Sequence, residues 1–357
     1  MGLLRFWLAL AVVIGHAGPL LGYEPLDATA AVLGFYVLSG LMMAMVLDTR
    51  YAHDLPAFYW NRFLRIWPPY LAVLGATLAL MLGAQILLGW AFGPLYTMLF
   101  QRVHPSLATL GLSLLGQVTL LGPGWSHFFA VTPGGGLAFA PNSYFQPNSL
   151  WHFDLLPQAW TLTTEVAFYL LAPAVVHWRS RTLAAWFLAG LAVRLGLELW
   201  LLPQQAPWHS RFLPLDLTVF CGGIVAWRAV RHGLPPRLHA WRGALAALAA
   251  AYFMSAHYLL LGSVAWQHLA TPLMTCAAVP WLLQVLKSRP WEQTLGALSY
   301  PLYVGHALVV ELTTYYPTDH ILFYSARVVL ASLATAYLIH LFLERPLERF
   351  KRVPKSD

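Results

Sequence analysis

Apolar runs of about 17–22 residues recur from end to end of this 357-residue chain, each long enough to cross the hydrocarbon core of a bilayer. A backbone in lipid must satisfy its own hydrogen bonds, which leaves helices and closed barrels. Barrel strands alternate apolar and polar side chains, whereas these runs are continuous, so they read as helices. Composition agrees. Only 10% of residues are charged and 59% are hydrophobic, where a soluble domain carries about a quarter charged. The expected fold is all-α, a polytopic helical membrane protein.

The spacing predicts spans at about 4–22, 28–47, 69–90, 106–121, 158–177, 183–202, 212–230, 241–261, 267–286, 295–314 and 322–343. Basic residues sort the connections between them. Arg50, Arg62 and Arg65 fall in one, Arg179 and Arg181 in another, Arg228, Arg231 and Arg237 in a third, Lys287 and Arg289 in a fourth. The tail holds Arg345, Arg349, Lys351, Arg352 and Lys355. The positive-inside rule makes all of these cytoplasmic. The segments Tyr23-EPLD-Ala28 and 315–322 are acidic or nearly neutral, as outside loops should be.

Eleven spans with a cytoplasmic start would leave the basic tail outside. The weak stretch is 69–121, where 91–105 holds a short aromatic segment with Arg102 and His104. One of its two apolar runs is therefore expected to be re-entrant or to lie on the surface. This leaves about ten transmembrane helices with both termini cytoplasmic. Residues 1–345 form the membrane domain, and 346–357 a short basic cytoplasmic tail. Met1 to Tyr23 mimics a secretory signal, but no clean small-x-small site precedes a soluble domain and a second apolar run follows at once. It is expected to remain as the first span. Cys221 and Cys276 lie in separate apolar segments and suggest neither a disulfide framework nor a metal site. The net charge of +7 is dispersed over five regions and does not argue for nucleic acid.

The longest non-helical stretch, about 122–157, is rich in Gly, Pro, Asn and aromatic residues. Charge places it outside. Loops of this length are usually functional, and the aromatic content reads as a lid or a carbohydrate-stacking surface.

Polar groups inside the spans are few. Arg5 and His16 are separated by FWLALAVVIG, almost three turns, so they share a helix face roughly 16 Å apart. With Arg5 at one membrane surface, His16 lies within the bilayer, where an ionisable group marks a functional site by default. Depth counting puts Glu165 of Trp160-TLTTEVAF-Tyr169 and His306 of Leu298-SYPLYVG-His306 near the level of His16. A carboxylate beside a histidine can fix its tautomer and raise its basicity. Arg194 and Glu198, four apart, read as a local ion pair. Asp216 and Glu311 fall near outer helix ends and read as solvated, and His340 sits close to the inner surface. Arg62 and Arg65, three apart just before Pro68 and Pro69, suit bidentate capture of phosphate or carboxylate. They equally fit ordinary positive-inside charge.

Six segments in order resemble the acyltransferase-3 membrane acyltransferases. They are Arg5-x10-His16, Gly34-FYVLS-Gly40, Arg62-FLRIWPP-Tyr70, Trp160-TLTTEVAF-Tyr169, Leu298-SYPLYVG-His306 and Glu344-R-Pro346. The resemblance implies transfer of an acyl group, commonly acetyl, from cytoplasmic acyl-CoA to a hydroxyl, often on a glycan at or beyond the outer face. By the family's pattern His16 and Glu165 match the catalytic residues, and Arg62 and Arg65 the pair associated with the CoA donor. Arg5 matches the arginine of the His16 motif and is grouped with the donor-binding residues. Tyr300 and His306 are supporting residues. Thr161 stands where serine is usual, which keeps a hydroxyl. No metal is implied.

Without the extra esterase-like domain of some relatives, transfer is expected inside the membrane domain, or onto a lipid-linked or small acceptor. The partners implied are acyl-CoA, a carbohydrate or lipid-linked acceptor and membrane lipids, and the expected location is a bacterial inner membrane. His16 is read as a general base in preference to an acyl carrier. The competing class is a proton-coupled transporter or exporter, which uses the same residue types. Its symmetric halves or paired broken helices are not evident here.

Overall fold

The computed structural model describes residues 1–200, 206–233, 240–286, 289–314 and 321–354. Arg237, Lys287, Lys355 and most of the 315–322 loop lie outside the described residues. The chain is 78% helical. Seven helices among the described residues are long and apolar enough to cross a membrane.

The first three helices are α1 (Gly2–Ala17), α2 (Ala28–Thr49) and α3 (Leu55–Leu88). Asp27 and Asp54 cap the second and third, accepting from the amides of Ala30 and Ala57. Two short helices follow, α4 (Pro94–Phe100) and α5 (Leu107–Thr119). The segment after them holds α6 (Pro123–Ser126), a hairpin of β1 (Phe129–Val131) and β2 (Leu137–Phe139), and 3-10 turns at Leu150–Phe153 and Pro157–Ala159. The remaining bundle comprises α7 (Trp160–Val175), α8 (Ser180–Trp200), the short α9 (Ala206–Ser210), α10 (Leu213–His232), α11 (Arg242–Leu259), α12 (Val264–Leu286), α13 (Pro290–Thr314) and α14 (Ile321–Ile339).

The region 69–121 corrects one expectation and specifies another. No helix opens at Pro68 and Pro69; both lie inside α3, which runs unbroken for 34 residues. Arg62 and Arg65 are thus helical residues, not loop residues. Pro68 and Pro69 free the carbonyls of Leu64 and Arg65, a loss that membrane helices tolerate where neighbouring groups compensate; one residue further on, Tyr300 donates its hydroxyl to the Ile66 carbonyl at 2.7 Å. The run that falls short is α5, whose 13 residues reach only about 20 Å.

The core is built on α2 against α10, with α1 against α13 and α14 beside both. Lipid gives little hydrophobic drive between helices, so small residues at the crossings allow backbones to approach closely. At Gly40 a Cβ would stand 2.1 Å from the Phe220 carbonyl oxygen, and at Gly223 one would stand 1.9 Å from that of Val37. Phe220 is sandwiched between Tyr36 and Phe168, with ring centroids 4.7 and 4.1 Å away.

The Arg194–Glu198 pair does not form. Arg194 instead reaches across to Asp216 Oδ1 at 2.6 Å, both side chains being buried, and donates to the His209 carbonyl. Asp216, expected to be solvated, is fully buried. Desolvating a guanidinium is tolerable only with a carboxylate of matched geometry, and the chain finds that partner on α10, not one turn away on α8.

Gly223→Ala is expected to lower the melting temperature in detergent, because the added methyl overpacks a backbone contact at a typical cost of about 1–3 kcal/mol. Gly75→Ala on α3, where a Cβ meets nothing within 4 Å, should leave it unchanged or raise it. Equal melting of the two variants would remove the close crossing as the cause.

Candidate active site

Two compartments lie along the face of α1 that carries Arg5 and His16. The first is a narrow cleft lined by Arg5, Ser39, Thr161, Glu165, Tyr300 and Tyr303 among others. Glu165 Oε1 accepts from Ser39 Oγ at 3.1 Å and from the Tyr169 hydroxyl. Arg62 and Arg65 adjoin the cleft: both act electrostatically on Arg5 and Tyr169, and the Arg62 guanidinium stands 5.9 Å from the Tyr169 ring centre. Arg62 Nε and Arg65 Nη2 are buried with no hydrogen-bond partner among the described residues. Three guanidiniums thus gather around one carboxylate, with donors left over. Such an arrangement suits a multiply charged anion.

The second compartment is a cavity of about 750 Å³ lined by His16, His306, Arg211, Gln158, Trp160 and the 122–157 segment. His16 and His306 meet in it with ring centroids 5.0 Å apart. His16 Nδ1 lies 2.8 Å from the Val12 carbonyl and His306 Nδ1 lies 2.6 Å from that of Tyr303. A carbonyl oxygen only accepts, so in each ring Nδ1 carries the hydrogen and a neutral imidazole keeps its lone pair on Nε2. His306 Nε2 is buried and has no hydrogen-bond partner among the described residues. His16 is the more exposed of the two.

Tyr303, Thr161 and Gln158 form the partition. Tyr303 donates to the Gln158 carbonyl at 3.0 Å and its oxygen lies 2.7 Å from Thr161 Oγ1, while Gln158 Nε2 donates to the Val304 carbonyl at 2.9 Å. The hydroxyl at position 161 therefore has a structural use, which serine or threonine can fill.

The structure pairs the expected residues differently from depth counting. His16 and His306 come together, but Glu165 falls in the cleft with Arg5 and does not line the His16 cavity. The counting fails because α7 begins at the wall of the His16 cavity, which its first residue, Trp160, already lines, and Glu165, five residues further along the helix, lines the neighbouring cleft. Tyr300 lines the cleft.

Other residues of the site carry no sequence signal of comparable strength. Arg211 follows the short α9, outside any apolar run; its guanidinium stacks 3.9 Å from the centre of the Trp160 ring, and its Nε is buried without a partner among the described residues. In the 122–157 segment, the His127 ring stacks on Tyr144 and Trp151 at 5.6 and 6.0 Å. These three rings, with His152, wall the cavity. His127 donates Nδ1–H to the Pro123 carbonyl, and burial together with the Arg211 charge holds its imidazole well below the usual histidine range. Asp154 is buried, accepts from Ser126 Oγ at 2.6 Å and lines the same cavity.

The polar interior, ringed by long apolar helices, defines an integral membrane protein with polar compartments inside the bundle. A family model described as an acyltransferase domain matches residues 1–343. The chain therefore belongs to the acyltransferase-3 family and is a membrane acyltransferase. No curated protein and no solved structure gives a match.

Burial raises the Asp154 carboxyl from 3.8 to about 8. Its folded pKa lies above the unfolded value, so ionisation opposes the fold and stability is expected to fall as pH rises from about 4 toward 8, by at most about 1.4 kcal/mol per unit. Melting curves across this range should show a shallower fall for Asp154→Asn than for the wild type. Parallel curves would exclude Asp154 as the group responsible.

Proposed function

We propose that this protein transfers an acyl group, in the first instance acetyl, from acyl-CoA to a hydroxyl of a carbohydrate or lipid-linked acceptor. The observation that carries the reading is the pair of compartments on one face of α1, an anion-suited cleft at Arg5 and a large aromatic-walled cavity at His16, roughly 16 Å apart along the helix. CoA is a polyanion with a long flexible arm ending in a thioester. Arg62 and Arg65 would hold its phosphates, with Arg5 beside them, and the arm would point toward the Tyr303 partition.

His16 acts as general base in this reading. Its Nε2 takes the proton of the acceptor hydroxyl as that oxygen bonds to the thioester carbonyl carbon. Negative charge develops on the carbonyl oxygen, and Arg211, the guanidinium in the same cavity, is placed to balance it. The tetrahedral intermediate collapses with loss of the CoA thiolate, which recovers the proton from His16 Nε2–H. His306 supports His16 by ring contact in the dry part of the cavity. Glu165, which does not line that cavity, serves on the donor side: held by Ser39 and Tyr169, it sets the charge balance among three guanidiniums. Trp151, Tyr144 and Trp160 contribute to an aromatic wall of the cavity, and a wall of this kind favours a carbohydrate acceptor.

Crossing number and orientation follow the same reading. Adding α1, α7 and α11 to the seven long apolar helices gives ten crossings, with α5 lying at one surface and both termini on one side. Arg179, Arg181, Arg228, Arg231 and the tail arginines then share that side, which the positive-inside rule makes cytoplasmic. The donor cleft faces it, and a bacterial inner membrane is the natural setting.

Membranes containing the protein are expected to form a base-labile acyl ester on glycans or glycolipids, detectable by mass spectrometry. His16→Ala at matched abundance should lose at least roughly a hundredfold in rate, the scale of general-base catalysis. An ester formed equally well by His16→Ala would remove this residue from the chemistry. Arg62→Ala is expected to raise the KM for acyl-CoA with little change in that for the acceptor. The opposite split would place the donor elsewhere.

A further inference from the structure

A second cluster of ionisable side chains lies outside both compartments, where the ends of four helices meet. Glu198 comes from the last turn of α8, His209 from α9 and His268 from the first turns of α12. One carboxylate oxygen and two imidazole nitrogens from these residues all lie within 4.8 Å of one another. His268 Nδ1 is 2.5 Å and His209 Nδ1 3.6 Å from the same atom, Glu198 Oε1. His209 Nδ1 is buried and has no hydrogen-bond partner among the described residues. The other nitrogen of His268, Nε2, lies 2.8 Å from Oδ1 of Asp27, the oxygen that also caps α2.

We propose that Glu198, His209 and His268 bind one divalent metal ion of the zinc class, with Asp27 as the outer carboxylate that orients His268. The donor set is two imidazole nitrogens and one carboxylate oxygen, which suits zinc and its neighbours. Calcium and magnesium take oxygen ligands and are disfavoured. In a tetrahedral zinc site with bonds of about 2.1 Å, ligand atoms stand about 3.4 Å apart. The observed separations bracket that value, so small side-chain rotations close the site and leave a fourth position for water.

Metal-bound histidines characteristically donate their remaining N–H to a carboxylate, and Asp27 supplies it here. Binding replaces the proton shared between His268 Nδ1 and Glu198 Oε1, which leaves to solvent, while Nε2–H stays with Asp27. With both imidazoles neutral, Asp27 and Glu198 bring two negative charges, which a divalent cation cancels. The ion would fasten α2, α8, α9 and α12 together beside the reaction cavity: Asp27 acts electrostatically on His16, and Arg211, two residues from His209, lines that cavity.

The test uses full-length protein in detergent, stripped with chelator and dialysed against Zn²⁺, and separately against Co²⁺. The wild type is expected to retain about one zinc per chain and to give the intense visible bands of tetrahedral Co²⁺. His209→Ala should lose both. Its unbound form should keep the wild-type gel-filtration profile and melt close to the wild type, because the His209 contact with Glu198 Oε1 is long, at 3.6 Å, and Glu198 keeps its nearer partner His268. Asp27→Asn should weaken zinc binding by about 10–100-fold. His257→Ala, which alters a more exposed histidine near Glu24, should change nothing. Zinc content in the wild type no higher than in a well-folded His209→Ala would overturn the proposal, as would equal Co²⁺ spectra. Metal content is read without acyl transfer, so failure here and failure of the transferase reading are separately visible.

Discussion

Charge cannot be left alone in a hydrocarbon slab, and the interior of this protein is organised around that constraint. Arg194 reaches Asp216 on another helix. His268 lies between two carboxylates from two others. Glu165 is held by Ser39 and Tyr169. Each is a cross-link between elements, made because the isolated group would be too costly to bury. Apolar packing alone would leave the helices free to slide; these polar ties set their register.

Against that background, the groups lacking partners are informative. Arg62 Nε, Arg65 Nη2, Arg211 Nε and His306 Nε2 are buried without one among the described residues. All four border the two compartments along α1. Buried donors and acceptors are normally satisfied; exceptions also occur elsewhere, at Arg194 Nε and Asp216 Oδ2 among others, and these four stand out because they lie beside space that a ligand could fill. The deficits also differ in kind. On the cleft side they are guanidinium donors, suited to an anion. On the cavity side they include an imidazole lone pair, suited to accepting a proton, and one guanidinium, suited to charge that appears during reaction.

Much of this was legible from residue order. The helical class follows from continuous apolar runs, and the motifs that carry the family resemblance supply Arg5, His16, Glu165 and His306 by position. Pairing was less legible. Arg194 and Glu198 are four apart and share a helix face, yet each finds its partner elsewhere, because a local pair needs no fold while a buried charge takes the best partner the fold supplies. A count along α7 does not show that the helix starts at the cavity wall, at Trp160, and so does not separate Glu165 from the His16 cavity. Arg211 and His209 were missed since neither falls in an apolar run. Their meaning depends on the approach of α9 to α12 and α7, which no spacing rule contains.

The partition between the compartments is the remaining element of the design. In the proposed reaction a thioester reaching His16 would pass the layer made by Tyr303, Thr161 and Gln158, whose hydrogen bonds close on one another and on backbone carbonyls. The layer is satisfied except at Gln158 Oε1, which has no partner among the described residues, and a network so nearly closed is stiff and leaves little room for water. Exclusion matters because water in the cavity would compete with the acceptor hydroxyl for the acyl group, and a leak between the compartments would also pass protons. Tyr303 sits beside His306 as well, with ring centroids 5.7 Å apart, and its own carbonyl fixes the His306 tautomer. The residue that closes the passage thus also sets which nitrogen of the neighbouring imidazole is free, so that barrier and chemistry are adjusted by one side chain and its backbone.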